Sequence, residues 1–341
     1  MRTIEPVSLR RGLRMSDLLC LDAVDGATPL GFLAAIGLLD VIGRHAPDVG
    51  VRLRWKYSGS WVPSLLPKFG PADVAAMVIR DRDETLGRPV LQFSYPKKEK
   101  NGVKSVGGLT PSQAVMRGWL MGRIDARDWL SLREMTGLVT ELATESIKGE
   151  KQFTLDELKI EGVSIDLSGS VEQACLQTAF DFTSRNAQFL DQLCHIGKSF
   201  KATDAIEQLC DRSTGVRGAR TMDWDQGSDS PGALYGKKVD RQRPVLEWLA
   251  WCGLKWLPVL GSGEHAMTTA CRGRRKQGVF TWCVWDTPSS LRVAASLLAR
   301  GIGRLQNSDE RAAIGVQAVF ECELVKAADG YGGIFSPSKV V

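Results

Sequence analysis

A chain of 341 residues with 43% hydrophobic and 24% charged side chains can bury a sizeable core, which excludes disorder over most of its length. Its 44 basic and 39 acidic residues leave a net charge of +5. That is far from a histone-like polycation, so any basic surface has to come from local clusters. No apolar run reaches the length of a membrane span, because Leu30–Ile42 is short and interrupted by Asp40. Residues 1–20 carry Arg2, Arg10, Arg11 and Arg14 but no apolar stretch of the signal-peptide kind, so the cytoplasm is the expected compartment.

The first strong element follows that basic arm. Thr28 suits a helix N-cap, and Pro29 suits the first helical position, where a missing N–H costs nothing. Leu30, Leu33, Ala34, Gly37, Leu38 and Val41 then recur at helical spacing. Gly31, Ala34, Ala35 and Gly37 leave one flank nearly bare, so a second backbone is expected to approach closely. Val51–Tyr57 alternates and reads as a strand with Arg52, Arg54 and Lys56 on one face, ended by a Ser58-Gly59 turn. Pro71–Asp81 reads as a helix and Leu91–Tyr95 as a short strand leading into a charged loop. Thr110 is a candidate cap for a helix from Pro111 toward Met121, and Asp125–Glu145 continues helical.

Lys148–Ser170 is rich in Gly, Ser and charge, and we read a boundary over 151–170 between regions 1–150 and 171–341. Val171–Cys194 and Lys201–Arg212 read as helices. Gly215–Lys238 is a polar loop long enough to suggest function or mobility. Pro244–Trp256 is a helix carrying Trp248, Trp251 and Trp256. Aromatics at that spacing usually fill a core. Val279–Trp285 and Val316–Val325 read as strands flanking a Pro288–Arg304 helix. The sum is an α+β fold, mixed sheet and helices without a regular βαβ rhythm.

Little in the chain asks for catalysis. G-x-S-x-G and a Walker lysine loop are absent, and His45, His195 and His265 stand far apart. None of the eight cysteines forms a C-x-x-C pair, so they read as small buried hydrophobes, and neither a structural metal nor a cofactor is expected. Asp223 and Asp225 at i, i+2 lack nearby His or Glu partners, and a loop pinned by Asp–Arg pairs is the better reading there. Nucleic-acid contact has more support. Lys97, Lys98, Lys100 and Lys104 are interleaved with glycines in Tyr95–Thr110, where ammonium groups can follow phosphates without reading bases. Arg272, Arg274, Arg275 and Lys276 put four charges in five residues, and arginine's planar fork suits phosphates or guanine edges. Arg185, Asn186 and Gln188 offer the donors and acceptors that pair with base edges. Arg217 and Arg220 flank the polar loop. For each cluster a solvated surface is the competing reading, a surface hairpin for Tyr95–Thr110 and a basic turn between two strands for Cys271–Gly278.

Five segments also resemble a known group. They are LDAVDGATPLGFLAAIGLLDVI (Leu21–Ile42), AFDFTSRNAQFLDQL (Ala179–Leu193), MDWDQGSDSPGALYG (Met222–Gly236), RPVLEWLAWCGLKWLPVLG (Arg243–Gly261) and FTWCVWDTPSSLRVAASLL (Phe280–Leu298). In order and spacing they resemble proteins of type I-G (formerly I-U) CRISPR loci, small relatives of the large subunit of the Cascade surveillance complex. The resemblance implies a non-catalytic subunit beside CRISPR RNA and target DNA. It implies contact with other Cascade-type subunits, reading of the motif that flanks the target, and recruitment of the helicase-nuclease. Two alternatives stand beside it. One is a metal-independent RNA-processing endonuclease using His45, Tyr57 or His265 as acid and base. The other is a scaffold that touches only protein.

Overall fold

The computed structural model describes residues 19–87, 94–99, 102–107, 179–180, 182, 189–224, 241–254, 256–257, 259–262, 265–274, 277–299, 308–326 and 333–341. Boundary residues 151–170, the basic arm up to residue 18 and the expected helices over 110–145 lie outside them.

The fold is α+β and is organised around one helix. Strand β1 (Leu19–Cys20) leads into α1 (Pro29–His45), whose residues from Pro29 through Ile42 are all buried. Thr28 caps α1 as expected: its hydroxyl oxygen accepts from Gly31 N at 3.1 Å and its O–H donates to the Asp25 carbonyl at 2.8 Å. A 3-10 turn, Pro47–Val49, ends this unit. Strands β2 (Arg52–Tyr57) and β3 (Trp61–Leu66) form an antiparallel hairpin, and β1 joins it on the far side of β3. Helix α2 (Pro71–Leu86) runs one turn further than its sequence pattern suggested.

Ser94–Glu99 (β4) and Gly102–Gly107 (β5) form a separate two-stranded ribbon. Of the two readings of Tyr95–Thr110, a charged loop and a surface hairpin, the described part takes the hairpin, in keeping with its β-formers Tyr95, Val103 and Val106. Next come α3 (Phe189–Lys198) and α4 (Ala202–Cys210). Strands β6 (Val216–Arg217) and β7 (Arg241–Gln242) pair across the polar loop, and α5 spans Pro244–Leu254. The remaining elements are β8 (Val259–Ser262), β9 (His265–Thr268), β10 (Cys271–Arg274), β11 (Gln277–Trp285), α6 (Leu291–Ala299), α7 (Ser308–Ala313), β12 (Val316–Lys326), β13 (Gly333–Phe335) and β14 (Lys339–Val340). The order β10-β11-β12-β13 makes the larger sheet, with β14 also paired to β12. Every described strand pairing is antiparallel.

α1 meets α5 on its glycine flank. A Cβ at Gly37 would fall 1.7 Å from the Leu249 carbonyl oxygen, and one at Gly253 would fall 2.4 Å from the Leu33 carbonyl oxygen. The two backbones are therefore in contact, as the bare flank of α1 predicts. Another part of α1 faces the sheets. Phe32 lies about 6 Å, ring to ring, from Trp55, Phe280, Trp282 and Trp285. Two indole N–H groups tie these layers together, while Trp55 Nε1 is buried without a partner among the described residues. Trp282 donates to Gly26 O at 2.8 Å, and Trp285 donates to Leu53 O at 2.9 Å. Residues before position 87 and after position 179 share one continuous hydrophobic core.

On α5, Trp248 and Trp251 are buried and in contact at 5.4 Å, as their spacing predicts. Trp256 departs from expectation, because the helix stops at Leu254 and the indole instead donates to Asp40 Oδ1 at 3.0 Å. Buried thiols at Cys194, Cys252, Cys271, Cys283 and Cys322 match the cysteine reading, whereas Cys210 is exposed.

Candidate functional site

Strand β2 sorts its side chains by alternation. Leu53 and Trp55 are buried, while Arg52 and Lys56 are exposed and Arg54 is half-buried. The basic row expected on one face is therefore present. β2 is an edge strand of its sheet, joined to the rest of the molecule through a bridge in which Leu53 and Ser289 exchange backbone hydrogen bonds of 2.9 Å. The Arg54 Nε is buried without a hydrogen-bond partner among the described residues.

The hairpin tip carries two aromatic rings. Tyr57 and Trp61 are directly opposed in register, with ring centroids 5.3 Å apart and planes tilted by 57°. Three residues, Ser58-Gly59-Ser60, close the loop, and Gly59 supplies the positive φ (83°) that such loops require. Trp61 is fixed through both backbone groups. Its N–H donates to Asp25 Oδ1 at 3.3 Å, and its carbonyl accepts from Gly26 N at 2.7 Å.

The polar loop after α4 reaches the same tip. Arg212 donates through Nε to the Asp22 carbonyl at 2.8 Å and through a terminal nitrogen to the Ser60 hydroxyl, with Asp25 Oδ2 at 4.0 Å. Half of the Arg212 side chain stays accessible (49%), so it can hold the loop and still meet an anion. Further along, Arg217 is exposed and stands opposite Arg241 in the β6–β7 register, and Arg220 donates to Gln192 Oε1 at 3.4 Å. The loop is pinned by a residue the sequence reading overlooked. Buried Glu247 of α5 accepts from the Thr221 hydroxyl and from Met222 N at 3.1 Å. Trp224 is buried beyond it and donates to Phe180 O at 2.8 Å. Arg212–Asp25 is an aspartate–arginine contact of this region, and Asp225 lies outside the described residues.

Lys97 and Lys98 lie on β4 and Lys104 on β5, with Lys97 directly opposite Lys104 and Lys98 opposite Val103. Arg272 on β10 is exposed but ion-paired with Glu321 of β12, so its charge is partly neutralised. Arg274 ends β10, opposite Gln277. Lys100, Arg185, Asn186, Gln188, Arg275 and Lys276 lie outside the described residues.

A second polar group lies inside the helical layer. Arg44 at the end of α1 donates through Nε to Asp40 Oδ2 at 2.9 Å and pairs with Asp81 of α2, while His45 Nε2 is 3.5 Å from Asp81 Oδ1. The Cys252 thiol donates to Asp81 Oδ2 at 3.5 Å, and Trp256 closes the set on Asp40. Burial pushes the Asp81 carboxyl up, but His45 and the Arg44 guanidinium outweigh it and bring it down to about 2. Burial pulls Arg44 down, but Asp81, Cys252 and Asp40 together outweigh it and hold it above the ordinary arginine range. With Asp40 and Asp81 almost fully enclosed, this network fastens α1 to α2 and α5 and offers little access to a substrate. Among the described residues, no three His, Cys, Asp or Glu side chains converge as a metal-binding group. No described helix is long and apolar enough to cross a membrane. No protein-family model matches this chain, and a comparison with curated proteins returns no match.

Proposed function

We propose that this chain is a non-catalytic subunit of a type I CRISPR RNA-guided surveillance complex. In this reading it contacts CRISPR RNA and target DNA, helps read the target-flanking motif and takes part in recruiting the helicase-nuclease. One observation carries the nucleic-acid part: an edge strand with exposed Arg52 and Lys56 ends in exposed Tyr57 packed on half-buried Trp61, beside half-accessible Arg212. Cations for phosphates next to rings for bases are the two ingredients of single-strand recognition. The five segments that resemble type I-G subunits supply the rest.

Of the residues suspected in the RNA-cleaving alternative, His45 and Tyr57 have described side chains, and the side chain of His265 lies outside the described ones. The His45 side chain is 6% exposed and lies against Asp81, and the Tyr57 ring packs on Trp61. The test is target-DNA binding by the assembled complex against a panel of flanking sequences. Neutralising Lys97, Lys98, Arg274, Arg275 and Lys276 is expected to weaken all targets alike. Asn186→Ala or Gln188→Ala is expected to narrow discrimination between flanks by about 1–3 kcal/mol. A uniform shift, or none, with Asn186→Ala would remove base reading from that segment.

A further inference from the structure

We propose that Tyr57 and Trp61 form a stacking site for an unpaired base of single-stranded nucleic acid. The inference rests on the nucleic-acid reading above and narrows it to one site and one kind of strand.

Tyr57 is 63% exposed, the one aromatic among the described large hydrophobic residues left open to solvent. A ring so exposed loses hydrophobic stabilisation unless something covers it. Its neighbour Trp61 is held by the Asp25 carboxylate and the Gly26 N–H, so the platform is already ordered and stacking on it costs little conformational entropy. The size of the feature also selects its occupant. An aromatic side chain covers about 150–250 Å² when fully buried, and the part of Tyr57 left open is smaller still, well below the roughly 800 Å² that each partner of a stable protein pair contributes. One planar base fits that area. In a duplex both faces of each base are already stacked, so the base must be unpaired. One cation stands at the rings: Arg212, half of whose side chain is accessible, reaches Ser60 in the loop between them, where it can meet a phosphate of the strand. The exposed loop residues Ser58 and Gly59 leave the approach free of bulky side chains.

The test uses the full chain and two fluorescein-labelled oligonucleotides of equal length at low ionic strength, oligothymidylate and its fully abasic counterpart. Both carry the same phosphates, and only one carries bases. Wild-type protein is expected to prefer the base-bearing strand by roughly five- to one-hundredfold, the span for one base stacked on an aromatic side chain. Tyr57→Leu keeps apolar bulk without a π face and is expected to abolish the preference, whereas Tyr57→Phe is expected to keep it. Thermal unfolding of each variant checks the fold, and the exposure of Tyr57 makes wild-type melting the expected result. Tyr57→Trp provides a second route, with a preference at least as large as that of wild type. An undiminished preference in Tyr57→Leu, or equal wild-type binding to both strands, overturns the stacking site and leaves the nucleic-acid reading standing. A wild-type chain that binds neither strand overturns both.

Discussion

The contact between α1 and α5 makes a sharp prediction about two glycines in the same helix. At Gly37 an added Cβ would sit 1.7 Å from the Leu249 carbonyl oxygen, half of the 3.4 Å at which ordinary contact begins. The obstacle is backbone on a buried helix, so no side chain can swing aside. It is met again at 2.8 Å by Gly253 N. Gly37→Ala must therefore push α5 away from α1, at about 3 kcal/mol, the upper end of the overpacking range. At Gly43, one and a half turns further on, an added Cβ meets nothing within 4 Å. Gly43→Ala removes only the entropic penalty of glycine in a helix and is expected to stabilise by about 0.5–1 kcal/mol. Urea unfolding of both variants, fitted with a common slope, measures the two changes against each other. A Gly37→Ala midpoint equal to wild type, or one above that of Gly43→Ala, would refute backbone contact as the basis of this helix pair.

The buried ion-pair network predicts an acid limit. The Asp81 carboxyl titrates lower in the folded chain than in the unfolded one, so its contribution is complete above about pH 4 and is lost as pH falls toward 2. The loss amounts to about 2 kcal/mol, and Asp81→Asn, though less stable at neutral pH, is expected to flatten that part of a stability-against-pH curve. Thiol chemistry follows burial. Burial holds the Cys271, Cys283 and Cys322 thiols above their ordinary range, and Cys210 is exposed. Brief alkylation of the native chain, read by peptide mass, is expected to modify Cys210 ahead of those three, and equal labelling would contradict the buried placement. Oligonucleotide affinity is expected to fall with salt, and replacing Lys97 and Lys98 by Ala to flatten the logarithmic slope for a single strand by about 1.4, two phosphate contacts' worth. An unchanged slope would take the β4–β5 ribbon out of the interface.

What was legible in the sequence was mostly local. Thr28-Pro29 announces the start of α1, and the bare flank of Gly31, Ala34, Ala35 and Gly37 announces a close neighbour, because capping and small-residue patterning are short-range rules. Which helix would fill that flank depends on Gly253, more than 200 positions away, and no periodicity reports it. The alternation of Val51–Tyr57 exposes the basic row of β2. The hairpin partner β3 stayed hidden because Trp61–Leu66 is a nearly continuous buried run containing Pro63, which breaks the alternating signal. The Tyr57-Ser58-Gly59-Ser60-Trp61 string, a glycine-bearing three-residue loop between two aromatics, was the available clue to the tip. Glu247 could not be identified from spacing, since it acts on groups far away in the chain, and the partners of Arg212 lie equally far off. In Tyr95–Thr110 the lysines and glycines fitted a loop and the β-formers between them a hairpin, and composition alone did not choose between the two.

The most direct measurement of the central proposal is co-purification. The chain is expressed with the products of its neighbouring genes and a CRISPR array, isolated through a tag on this chain at physiological salt, and any bound RNA is sized and sequenced. The proposal predicts a stable multi-subunit assembly with RNA of uniform length carrying repeat-derived sequence. A chain that elutes alone and free of RNA while the other products assemble without it would contradict the proposal.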